Sequence, residues 1–155
     1  GVILFTSSGS HKLMKMNWQD LMFQRRYRPL YAYKQSKLCN MLTAFELNSR
    51  YAGQGIRAYG IDPGLVRTEI GSKNTGKLVD FVWKQRSRHG VDPSVPARVY
   101  GDMICTGQKA EGLYHGAGGL MKHSGEVNRK NAVKLFEISE SLCHIRFGVS
   151  EECLS

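Results

Sequence analysis

The chain opens on an unbroken apolar run, Val-Ile-Leu-Phe at positions 2–5, which halts in Ser7-Ser8-Gly9-Ser10. A strand with apolar residues on both faces has to be covered on both, the situation of a buried parallel strand in an α/β sheet. A parallel neighbour cannot be reached by a tight turn; it needs a crossover, usually a helix. Both follow. From position 32 to about 51, Leu38, Met41, Leu42 and Phe45 recur at helical spacing, and Gly53 and Gly55 mark the end. Residues 56–61 (IRAYGI) then read as a second strand, cut off by Asp62-Pro63-Gly64. Strand, helix and strand close right-handed onto one sheet.

Between the first strand and its helix, residues 11–30 are polar and basic, with a weak helical patch over 18–23 that Pro29 breaks. Downstream, residues 77–84 (KLVDFVWK) read as a short apolar helix and 96–106 as another packed helix. Leu113-Tyr114 reads as a minimal strand and 128–142 as an amphipathic last helix. The 155 residues suffice for one domain. With 41% hydrophobic and 23% charged residues, wholesale disorder, collagen-like sequence and a disulfide scaffold are excluded. No apolar run approaches the ~20 residues of a membrane-spanning helix. The chain starts on a strand without a basic leader, so no signal peptide is expected.

Charge narrows the partners. Lysine and arginine total 22 against 13 acids, a formal charge of +9, which favours nucleic acid, anionic lipid or anionic cofactors. Arg25, Arg26, Arg28, Lys34 and the cluster 84–88 are the sites where nucleic acid would be met, but no recognition fold or aromatic interleaving supports that reading. Cys39, Cys105, Cys143 and Cys153 stand far apart with no CxxC pair, so no metal site is expected. Cys39 and Cys105, among apolar neighbours, read as reduced core residues in a reducing compartment.

Tyr33 and Lys37 form a Tyr-x-x-x-Lys pair near the start of the long helix. The i,i+4 spacing puts both on one face, one turn apart. A phenol titrates near ~10, and a nearby ammonium favours the phenolate, moving such a group toward acid–base work with a hydroxyl or carbonyl oxygen. Alone the pair is weak, since a surface Tyr–Lys contact has the same spacing. Its placement adds weight. Ser7-Ser8 end the first strand, and Pro63-Gly64, Val66 and Thr68 follow the second, so the crossover brings all of them to the carboxyl edge of the sheet, where open α/β folds bind ligands.

The segments FTSSGS, YKQSK with the following LCNMLTAFEL, and DPGLVRTEI resemble the short-chain dehydrogenase/reductases, and NWQDLMFQRRYRPLYAYKQSKL is most similar to their retinol-dehydrogenase-like branch. The resemblance covers positions 2 to about 142 and implies an α/β, Rossmann-type doubly wound parallel sheet, with the chain forming the C-terminal half of one domain from the fifth strand onward. It implies that Ser8, rather than Ser7, contacts the substrate oxygen, that Tyr33 is the general acid–base, and that Lys37 holds the nicotinamide ribose. It places Pro63, Gly64, Val66 and Thr68 along the nicotinamide. It implies hydride transfer between NADP or NAD, with NADP ahead, and a lipophilic alcohol, aldehyde or ketone of retinoid, steroid or lipid type. The stretch 70–89 would cover the substrate with Leu78, Val79, Phe81, Val82 and Trp83. Lys77, Lys84, Arg86 and Arg88 around that helix leave a membrane surface open as a partner. The implied location is cytoplasmic or peripheral to the endoplasmic reticulum membrane.

The family's glycine-rich phosphate turn, its Asn-Asn-Ala-Gly segment and its relay asparagine have no counterpart here. Gly112, Gly116 and Gly118 have the spacing of the phosphate turn but follow no buried strand and open no helix, so they read as a short strand with a glycine-rich turn. Asn17 and Asn40 do not stand where the relay asparagine belongs. The competing reading is therefore an inactive truncated chain or an interaction module, self-associating or completed by an N-terminal half. An open sheet edge would suit either.

Overall fold

The structure, a computed structural model, describes residues 1–66 and 90–147. Thr68, Cys153, the expected helix over 77–84 and the substrate-covering stretch 70–89 lie outside those residues.

Four strands form one sheet in the order β1-β2-β3-β4: β1 (Val2–Thr6), β2 (Arg57–Ile61), β3 (Tyr114–Gly116) and β4 (Gly119–Leu120). β1 and β2 are parallel, with Val2 opposite Arg57 and Thr6 opposite Ile61. β2 and β3 are parallel, and β4 turns back antiparallel on β3. The helices are α1 (Pro29–Tyr51), α2 (Ser94–Thr106) and α3 (Arg129–Cys143), with short 3-10 turns at Gly9–Leu13 and Ala52–Gln54.

Strand alternation sorts the core into two layers. Ala58 and Tyr114 pack with Leu38, Met41, Leu42 and Ala44 of α1 and with Ala132 and Leu135 of α3. Tyr59 and Ile61 point to the other face and pack with Met103, Val99 and Tyr100 of α2. Helices on both faces of a largely parallel sheet make a doubly wound α/β arrangement. Gly60 is where β2 and α1 come closest: a Cβ there would stand 2.1 Å from Met41 Sδ. β3 pairs only with the end of β2, so Asn48 of α1 takes its place farther back. The Asn48 amide donates to the Ala58 carbonyl (2.6 Å) and accepts from its N–H (2.8 Å).

Several expectations are corrected. β1 is not buried on both faces: among the described residues it is an edge strand, and Ile3 is 39% exposed. Residues 18–23 form turns rather than a helix. The buried Gln35 side chain takes the Asn17 N–H (2.8 Å) and donates to the Leu21 carbonyl (2.8 Å), and Asp20 accepts from the Gln24 and Arg25 N–H groups. Side chains thus satisfy the backbone that a helix would have satisfied. Pro29 starts α1 instead of breaking a helix, because the first turn needs no N–H from it. Cys105 is exposed rather than core, whereas Cys39 is partly buried and burial pushes its thiol up to about 11.

Candidate active site

The carboxyl end of β1 is bolted to the first turns of α1. The Thr6 carbonyl accepts from Lys37 Nζ (3.2 Å) and from Asn40 Nδ2 (2.9 Å), one turn apart on the helix. Ser7 extends the ladder by donating its N–H to the Ile61 carbonyl (2.7 Å), and its buried hydroxyl donates to the Lys37 carbonyl (3.1 Å). That hydroxyl is turned into the fold. Ser8, half-buried, caps the following 3-10 turn, its Oγ accepting from the Ser10 N–H (3.3 Å). A hydroxyl accepting in this way keeps its own proton to donate.

Lys37 Nζ lies 5.4 Å from the centroid of the Tyr33 ring, a cation–π contact along the helix face. Tyr33 is 37% exposed. Its phenol also stands within electrostatic reach of Tyr114. The Tyr114 hydroxyl is pushed above the usual phenol range first by burial, then by its hydrogen bond to Asp62 (2.5 Å) and by the charges of Asp62 and Tyr33. The other Asp62 oxygen accepts from the Gly64 N–H (2.9 Å), and Gly64 takes φ +69° to let the chain turn there. Leu65 and Val66 then run beside Val91, whose N–H meets the Leu65 carbonyl (2.6 Å).

One further residue knits this edge together. His11 is fully buried, its Nδ1 against the Ser8 carbonyl (2.7 Å), its Nε2 accepting from the Ser124 N–H (3.2 Å), and its ring edge-on to Tyr114 at 4.8 Å. Ser8, Tyr33, Lys37, Pro63 and Gly64 thus lie along one sheet edge, joined through Thr6, Asp62, Tyr114 and His11. Sequence reasoning missed His11, Asp62 and Tyr114. It also discounted Asn40, which shares the strand-end carbonyl with Lys37. The i,i+3 spacing of Lys37 and Asn40 was the available signal; the Asp62–Tyr114 pair spans 52 positions and has none.

Gly116 and Gly118 belong to the β3–β4 hairpin, and Gly112 lies in the bend that leads into β3. A Cβ on Gly112 would stand 2.3 Å from Leu120 Cδ1, and one on Gly116 would stand 2.7 Å from Met121 Sδ. Nothing lies within 4 Å of a Cβ on Gly118. Among the described residues no group of His, Cys, Asp and Glu forms a metal site, and no helix is long and apolar enough to cross a membrane.

No family model matches the chain. Retinol dehydrogenase 12 of Mus musculus is 30% identical over 148 residues, 91% of this chain and 45% of that protein. Retinol dehydrogenase 12 of Homo sapiens is 28% identical over 94% of the chain and 46% of its own length. Over nine-tenths of its length the chain is thus similar to retinol dehydrogenases, in keeping with its resemblance to the short-chain dehydrogenase/reductases. It spans about half the length of the curated relatives it matches, and its motifs are those of the C-terminal half of a short-chain dehydrogenase/reductase. Among solved structures, an uncharacterised protein from Mycobacterium paratuberculosis superposes with a TM-score of 0.60 at 25% identity, over 96% of this chain and 52% of that one.

Proposed function

We propose that the chain carries the catalytic half of an NAD(P)-dependent oxidoreductase acting on a lipophilic alcohol, aldehyde or ketone, with NADP ahead of NAD. The observation that carries this reading is the anchoring of Lys37 and Asn40 to the Thr6 carbonyl. It fixes the Tyr33–Lys37 face of α1 beside the Ser8 loop at the ligand-binding edge of the sheet.

The donor set fits the nicotinamide–ribose end of a dinucleotide. Lys37 brings an ammonium with donors beyond the one given to Thr6, Tyr33 a phenol, and the Pro63–Gly64 loop an open backbone. The cofactor, when bound, supplies or accepts the hydride. The protein's own part is proton handling and alignment. Tyr33 Oη holds the proton exchanged with the substrate oxygen. Ser8 donates its free hydroxyl proton to that oxygen and steadies its charge. Lys37 holds the ribose and places positive charge beside the phenol. Val66 would continue the wall along the nicotinamide.

A second reading, an interaction module without a cofactor site, is favoured by one observation: the glycine-rich turn leads into β4 and opens no helix whose N-terminus could bind a pyrophosphate. Turnover separates the two. NADPH oxidation with a long-chain aldehyde should be detectable with the parent chain and fall ~10²–10⁴-fold in Tyr33→Phe, the usual contribution of a positioned acid–base group. Equal turnover of both proteins removes Tyr33 from the chemistry, and no turnover in a folded parent favours the module.

A further inference from the structure

The loop before α1 and the first turns of that helix carry a surface that the candidate site does not use. Met22, Tyr27, Leu30 and Tyr31 are 66%, 69%, 56% and 44% exposed. Arg25, Arg26 and Arg28 are exposed among them and Lys34 is half-buried. Two cations approach the Tyr31 ring, Arg28 Cζ at 5.5 Å and Lys34 Nζ at 5.7 Å from its centroid. Asp20 is the one acid in residues 18–36, and its carboxylate is occupied by the backbone N–H groups of Gln24 and Arg25. Among the described residues no carboxylate pairs with any of the four cations. The patch therefore combines unneutralised positive charge with large apolar side chains standing in water.

These two properties together select the partner. Cations alone would suit any polyanion, but Met22 and Leu30 gain nothing against a sugar–phosphate backbone. A bilayer surface rewards both. Tyr sits well at the headgroup level, aliphatic side chains enter the acyl boundary, and Arg and Lys meet anionic headgroups. We propose that residues 22–34 form a docking surface for an anionic phospholipid bilayer, with Met22, Tyr27, Leu30 and Tyr31 entering the headgroup layer and Arg25, Arg26, Arg28 and Lys34 binding its anionic headgroups. Tyr33 lies within the same stretch of α1, so the candidate site opens beside that layer. The surface itself does not depend on the oxidoreductase reading.

The test is co-sedimentation of the chain with phosphatidylcholine vesicles, with and without a minor fraction of phosphatidylserine, at low and raised salt. Two exposed-surface variants are compared, Arg25→Gln/Arg26→Gln/Arg28→Gln and Met22→Ser/Leu30→Ser, each checked for native circular dichroism. Binding is expected on phosphatidylserine vesicles and should weaken with salt. Each cation near such a surface is worth roughly fivefold in partitioning, so the triple variant should lose roughly a hundredfold. The apolar variant should also lose binding at low salt. No vesicle binding, equal partitioning of the triple variant and the parent, or retention by DNA or RNA in place of vesicles would each overturn the proposal.

Discussion

Acid should loosen the fold at His11, directly beneath Ser8. The two ring nitrogens of this buried histidine face partners of fixed sense: the Ser8 carbonyl can only accept and the Ser124 N–H can only donate. Nδ1 therefore carries the proton and Nε2 is bare. A second proton would set two N–H groups against each other in a dry site. Burial is the main force lowering the His11 pKa, with Lys12 and His123 acting the same way, against the Ser8 carbonyl and Asp62. An imidazole in the unfolded chain titrates near ~6.5. Below that pH, down to the lower folded value, the unfolded state binds the extra proton. Stability is thus intact above about pH 6.5 and falls as the pH drops. One proton sets the ceiling at about 1.4 kcal/mol per pH unit, or about 2 kcal/mol between pH 6.5 and pH 5. Urea unfolding of the parent and of His11→Gln, followed from about pH 8 to about pH 5, isolates the effect. The glutamine oxygen accepts from the Ser124 N–H without titrating, and His115, whose pKa burial also lowers, is common to both proteins. The parent should lose stability faster in acid than the variant. Parallel profiles would refute the assigned protonation of His11.

Two packing predictions accompany it. Gly60→Ala should destabilise the chain by about 1–3 kcal/mol, because the new methyl group meets Met41 Sδ at 2.1 Å, and Met41→Ala should recover part of that loss in the double variant. Asn128→Ala should cost about 1 kcal/mol in chemical denaturation by removing the side-chain cap on the Asn131 N–H at the start of α3.

What was legible in the sequence is what local pattern controls. The apolar run before Ser7, the helical spacing of Leu38, Met41 and Leu42, and the strand before Asp62 all stand where the periodicity puts them. So does the glycine hairpin after Leu113, because a phosphate turn opens directly into a helix and this one leads into β4. What escaped depends on contacts between distant segments. The turns at 18–23 exist because Gln35 and Asp20 take over their backbone hydrogen bonds. The exposure of Ile3 depends on what covers β1 at that position, which the apolarity of the run does not reveal. The placement of Tyr33 and Lys37 on one face followed from helical spacing. Their anchoring through Asn40, and the His11, Asp62 and Tyr114 contacts beneath them, required the folded chain.

The central claim is that Lys37 and Tyr33, held against the end of β1, receive a nicotinamide cofactor. Calorimetric titration of the folded chain with NADPH, then NADH, tests it most directly. The account predicts saturable binding, weak because the described residues would hold only the nicotinamide–ribose end that the two cofactors share, and abolished by Lys37→Ala. A folded chain that binds neither cofactor, or binds both unchanged after Lys37→Ala, would contradict it.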